Sequence, residues 1–235
     1  MNALLAIARR ELRERVDDAY RVQLERLVPG VRAIGVKVPQ LRALARELAK
    51  HHAIDLEAAC ALLDAACAGG AREEILLGTM LVARHRRAVA NMPWSRVTRW
   101  LRAIDNWEVC DLLATSVAAP VVAARLELVD ELVRVARAEG SWSRRFAAAT
   151  AAALNQHGRT HAAEALRVCA CLLADREPTV RKATGWAIRE VAKRDEVMAF
   201  EFLRRHAGEL SRTLAREASQ KLAEPHRAIV LAASA

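Results

Sequence analysis

Pro178-Thr-Val-Arg-Lys-Ala-Thr-Gly-Trp-Ala-Ile-Arg-Glu-Val-Ala-Lys193 carries the pattern that decides the fold. A proline suits the first turn of a helix, where its missing N–H would go unpaired in any case. From there Val180, Thr184, Ala187, Ile188 and Val191 form one helical stripe, and Lys182, Trp186, Arg189 and Lys193 form a second on nearly the opposite side. The apolar stripe predicts burial. A tryptophan among three cations predicts a basic face that suits a polyanion, with cations on phosphates and the indole on sugar or base. The competing reading packs Trp186 against a neighbouring helix.

The same period recurs along the chain. Val97, Trp100, Leu101 and Ile104 are spaced i, i+3, i+4, i+7, as are Leu166, Cys169, Ala170 and Leu173. The pattern predicts one long or broken helix over 2–28, then a helix from Pro39 through His51 and one led by Asp55 and ended by Gly69-Gly70. Further helices are expected from Arg72 to about Arg86, from Pro93, from Trp107 towards Pro120, and over Val121 to Ala138. Ser141 is a plausible N-cap for a helix to Gln156, and Pro178 and Pro225 open two more. No run of alternating β-branched residues appears, and glycine and proline number only 9 and 6. The prediction is an all-α chain: a single α-solenoid domain over 1–235, built of antiparallel helix pairs at the roughly 35–40-residue spacing of HEAT-type repeats, with a concave basic face.

Lysine and arginine total 37 against 28 acidic residues, a net charge of +9 that favours polyanionic partners. Five cysteines, Cys60, Cys67, Cys110, Cys169 and Cys171, show no CxxC spacing, and His157 and His161 lack the carboxylates of a metal motif. Neither a disulfide framework nor a metal site is expected, and no cofactor. The chain shows no secretory h-region and no evident 18-residue apolar span, so the expectation is a cytoplasmic monomer with no membrane partner.

Ile104-Asp-Asn-Trp107-Glu-Val-Cys-Asp111 is the unusual stretch for chemistry. Trp107 and Asp111 are four apart, so on a helix they share a face. Tryptophan favours burial and aspartate resists it unless paired. Either Trp107 is core and Asp111 a solvated neighbour, or indole and carboxylate together receive something electron-deficient. In a third stretch, Trp142-Ser-Arg144-Arg145-Phe146, a core stripe of Trp142, Phe146, Ala149 and Ala153 would leave Arg145 at its border and Arg144 outside.

Taken in order, Gly35-Val-Lys-Val-Pro39-Gln-Leu-Arg42, Asn106-Trp107-x3-Asp111, Trp142-x2-Arg145 and Lys182-Ala-Thr-Gly-Trp186-x2-Arg189-Glu190 resemble the DNA alkylation-repair glycosylases of the AlkD type. The match covers essentially the whole chain, and Arg212-Thr213 with Arg216 continues it. The resemblance implies a HEAT-like fold and hydrolysis of the N-glycosidic bond of N3-methyladenine and N7-methylguanine in double-stranded DNA. It implies Asp111 as the catalytic carboxylate, Trp107 and Trp186 facing the lesion's deoxyribose, Arg145 holding backbone phosphate, and Arg189 as a further DNA contact. It also implies that the base stays in the duplex, where most base-modifying enzymes extrude it. Lys182, Lys193 and Arg144 are the remaining candidate DNA contacts. The chain departs from its relatives in Leu27–Ile34, which lacks the aromatic or lysine residues common there.

The chemistry is coherent with one carboxylate. An N-alkylated purine is already cationic and leaves as a neutral base without a general acid. The developing oxocarbenium-like sugar needs opposite charge and electron-rich faces, which Asp111 and the indoles supply. The alternatives are a non-catalytic α-solenoid that binds DNA at damaged or distorted sites, and a protein–protein scaffold.

Overall fold

The computed structural model describes residues 3–234, and among these the chain is helical with no strand. It packs as two compact units, Met1–Val117 and Ala118–Ala235. The first unit holds α1 (Ala3–Arg13), α2 (Asp18–Leu27), α3 (Val38–His51), α4 (Leu56–Cys67), α5 (Arg72–Ala83), α6 (Arg86–Val89), α7 (Trp94–Leu101) and α8 (Trp107–Leu113). The helix expected over 2–28 is thus broken over 14–17, and its first residue, Asn2, lies outside the described residues. The second unit holds α9 (Ala119–Ala124), α10 (Val129–Ala136), α11 (Ser141–Ala153), α12 (Ala162–Ala170), α13 (Pro178–Ala192), α14 (Glu196–Arg205), α15 (Arg212–Ala218) and α16 (Glu224–Ala233).

Each unit is two layers of stacked helix pairs, the architecture of an α-solenoid. In the first, α3, α5 and α8 form one layer and α1, α4 and α7 the other, with α4 packed on α5 across the turn at Gly69. In the second, α9, α11, α13 and α15 face a layer of α10, α12, α14 and α16. Local chemistry sets the helix starts. Asp17, Asp55, Asn106, Asp195 and Ser211 each accept a first-turn backbone N–H through the side chain. Ser141 does not act as the expected cap: Gly140 holds the N-cap position and Ser141 is the first helical residue.

Two further expectations are corrected. The Trp107 helix does not end before Pro120. It passes into a π-helical turn, Ala114–Ala118, and resumes as α9 with Pro120 in the first turn. A proline inside an α-ladder would leave a carbonyl unpaired and clash with it; the wider π turn absorbs both effects. The break falls instead at Arg125, before a 3₁₀ turn and α10. In consequence Trp107–Ala124 is a helical run of 18 residues apolar enough, by length and composition, to cross a membrane, contrary to the sequence expectation. Val109, Cys110, Leu113, Val117, Val121 and Val122 on this run are buried within the protein, which accounts for its apolarity.

The first turn of α5 is the hub of the first unit. Glu73 has no solvent exposure. Its carboxylate accepts N–H bonds from Ile34 (2.8 Å), Gly35 (3.0 Å) and Val36 (3.3 Å), and pairs with Arg72 at 3.1 Å. Arg72, equally buried, donates through Nε to Glu108 of α8 at 2.6 Å, and Glu74 takes a two-pronged bond from Arg9 of α1. Three successive charged residues therefore tie three segments to one helix end. The loop they hold has little room. Gly35 sits at φ +99°, and a Cβ there would lie 2.8 Å from both the Arg21 Cβ and the Asp17 carbonyl oxygen.

Glu73→Gln should therefore cost about 3–5 kcal/mol, because it leaves the Arg72 charge buried with only one carboxylate. Gly35→Ala should cost about 2 kcal/mol from backbone strain and the close contact together. Urea unfolding followed by tryptophan fluorescence checks both, and a midpoint equal to wild type in either variant would contradict the role given to that residue.

Candidate functional site

Asn106 is 1 % exposed, and its Oδ1 caps α8 by accepting the Val109 N–H at 3.0 Å. Its Nδ2 donates to Asp105 at 2.7 Å. This cap makes Trp107 the first residue of the helix, where the indole is 48 % exposed although tryptophan is normally buried. Asp111 follows one turn later on the same face and is half-buried. Of the two readings of this stretch, burial of Trp107 in the core is excluded. Trp100, by contrast, is a core tryptophan: it is 1 % exposed and donates its Nε1–H to Asp64 at 2.6 Å.

The helix around Asp111 is held from both ends. Glu108 anchors the first turn to buried Arg72. Below Asp111, Thr115 Oγ1 donates to the Asp111 carbonyl at 2.7 Å, just as the ladder widens into the π turn. Cys110 is fully buried beside it. Sequence reasoning missed Arg72, Glu73 and Glu108. A charged first helical turn reads as solvated, and their partners are 36 to 39 residues away.

In the second unit, Val180, Thr184, Ala187, Ile188 and Val191 of α13 are all buried, as the apolar stripe requires. Opposite them Lys182 and Lys193 are exposed, while Trp186 and Arg189 are half-buried. Trp186 donates its Nε1–H to Glu190 at 3.2 Å, and the same carboxylate oxygen receives Lys193 Nζ at 2.5 Å. Arg189 bonds α15 through the Glu217 carbonyl (3.1 Å) and carboxylate (2.8 Å). That crossing is close because residue 185 is glycine: a Cβ there would come within 2.5 Å of Glu217 Cγ.

On α11, Arg145 is buried where the sequence pattern puts it at a border. Its Nη1 donates to the Thr179 carbonyl (2.7 Å) and hydroxyl (2.9 Å), joining α11 to the start of α13. Arg144 pairs with Asp175 at 2.6 Å and also donates to the Ala138 and Glu139 carbonyls. Arg212, Thr213 and Arg216 are exposed on α15. The sequence-predicted residues thus fall into two clusters: Trp107 with Asp111 on α8, and Trp186, Lys182, Arg189 and Lys193 on α13 with Arg145 against its first turn.

Among the described residues no group of three His, Cys, Asp or Glu side chains is placed to hold a metal ion. The α8 cluster offers an electron-rich ring and a carboxylate one helical turn apart, a combination suited to a cationic centre. The α13 cluster offers cations beside an indole, suited to a sugar–phosphate chain.

The comparisons with known proteins bear on the fold and the family. Among the solved structures, a predicted DNA alkylation repair enzyme from Enterococcus faecalis shares the fold with a TM-score of 0.72 at 20% identity, over 89% of this chain and 98% of that one. No curated protein matches. The sequence profile of the DNA alkylation repair enzymes matches residues 8–222. Spanning nearly the whole chain, that match shows that this protein belongs to the DNA alkylation repair enzyme family.

Proposed function

We propose that the protein is a DNA N-glycosylase that releases cationic N-alkylated purines, N3-methyladenine and N7-methylguanine, from duplex DNA. The observation that carries the reading is the exposed Trp107 one helical turn from Asp111, within a chain of the DNA alkylation repair family. Core packing leaves that indole unexplained, since the neighbouring Trp100 fills the core role.

The reaction breaks the bond between C1′ and the purine nitrogen. The electron pair leaves with the base, which is neutral once released because the alkyl group had made it cationic. Positive charge then resides on the sugar as an oxocarbenium ion. The Asp111 carboxylate opposes that charge, orients the water that adds to C1′ and accepts the proton which that water releases. The Trp107 face lowers the energy of the same cation through its ring quadrupole. The anchoring of α8 by Asn106 and Glu108 serves this step, because a charge stabiliser acts best when it need not reorganise. The family motif assigns Trp186 to the deoxyribose and Arg145 and Arg189 to the DNA strand, while Lys182 and Lys193, on the α13 face of Trp186, and Arg144, beside Arg145, are further candidate strand contacts. Arg145 and Arg144 do this while also bonded within the second unit.

Release of free 7-methylguanine and 3-methyladenine from methylated duplex DNA tests the reading. Asp111→Asn should reduce release at least about a hundredfold, ~2.7 kcal/mol of barrier, with duplex affinity retained. Tight binding without release by the wild type would make the protein a non-catalytic binder of damaged DNA. Borohydride treatment of the reaction should trap no covalent adduct. An adduct that disappears in Lys182→Ala would instead identify a lyase step through the amine one turn from Trp186.

A further inference from the structure

A groove of about 580 Å³ opens in the first unit along the C-terminal ends of α3 and α5 and the flank of α8. Its lining includes Met80 and Ala83 of α5, Leu112 and Ser116 of the α8 run, and Arg84, His85 and Arg86, with no carboxylate among the lining residues. Four other arginines of this unit, Arg9, Arg15, Arg72 and Arg96, are each bonded to a glutamate. Arg84 and Arg86 are exposed, and among the described residues their guanidinium groups have no ion-pair or hydrogen-bond partner.

The end of α5 carries the negative pole of its helix and repels anions by itself. Arg84, at the C-cap, is sufficient to offset that pole; Arg86 lies beyond it in α6. The two together leave a surplus of positive charge beside an open groove. Leu112 directly follows Asp111, so the groove begins about 100° around the same helix from the carboxylate.

We propose that this groove is a docking track for the phosphodiester backbone of duplex DNA, in which Arg84 and Arg86 each take a phosphate. The assignment rests on the glycosylase reading for its choice of polyanion, and on charge complementarity for the site. Forked guanidinium donors suit phosphate oxygens, and an open trough without carboxylates admits a continuous strand.

Fluorescence anisotropy of an unmodified labelled duplex, measured against chloride concentration, tests it. R84A/R86A should weaken binding roughly tenfold near ~0.1 M salt and flatten the log–log salt slope by ~1–2, since each lost phosphate contact accounts for about 0.9 of that slope. R84K/R86K should recover most of the slope, because lysine restores the charge. The control is R99A/R102A, which removes the same charge from exposed positions at the end of α7 in the other helix layer and should leave the slope unchanged. An equal fall in that control would show a general charge effect and overturn the site.

An unchanged slope in R84A/R86A, with base release intact, would overturn the site and leave the glycosylase reading standing. Absence of any duplex affinity in the wild type would remove both. Inorganic phosphate at fixed ionic strength should displace the duplex no better than chloride. Stronger displacement that R84A/R86A abolishes would reassign the groove to a free phosphate ligand and overturn the backbone track.

Discussion

Glu73 is a carboxylate with no access to solvent, and removing it from water is tolerable only because both of its oxygens accept hydrogen bonds. Three consecutive backbone N–H groups, from Ile34 to Val36, and the Arg72 guanidinium converge on it. Arg72 passes the constraint to Glu108, and Glu108 fixes the turn of α8 that presents Trp107. The loop on the other side is held a second time: the Gly35 carbonyl accepts from Asp17 N–H at 2.9 Å, and Lys37 pairs with Asp17 at 2.7 Å. An interior ion pair adds little net stability beyond an apolar replacement, but it is intolerant of alternative geometry. Its contribution here is positional. It makes the direction of the α8 face depend on residues far away in the chain.

The second unit obtains its rigidity by different means. Every residue of α11 from Arg145 to Ala153 is buried, and seven of these nine positions are alanine or threonine. Small side chains let α10, α12 and α13 approach α11 closely, so the unit is organised around a helix that offers little apolar area of its own but little obstruction either. Phe146 supplies the one large buried ring on that helix. Gly185 plays the same part at the next crossing, where α13 meets Glu217 of α15.

The cations divide by what they do. Arg72 is a structural cross-link, and Arg145 and Arg189, though candidate DNA contacts, also spend donors on elements distant in sequence. Lys182, Arg84, Arg86 and Arg216 remain exposed. A net charge of +9 is therefore a poor guide to affinity for a polyanion unless the arginines already engaged inside the fold are set aside.

Helix period, caps and first-turn prolines, all local properties, were enough to determine the all-helical class, most of the helix starts, the buried stripe of α13 and the shared face of Trp107 and Asp111. The motifs in chain order were enough to indicate the family. Packing decided the rest. The helix through Pro120 continues because a π turn accommodates a residue that reads locally as a breaker. Arg145 is interior, although an alanine-rich helix has no polar face to show which side is out. Arg72, Glu73 and Glu74, a charged first turn by composition, became the centre of the first unit through partners found only when the chain closes on itself. Periodicity along a helix reports which side is apolar; it carries no record of which distant group will neutralise a buried charge.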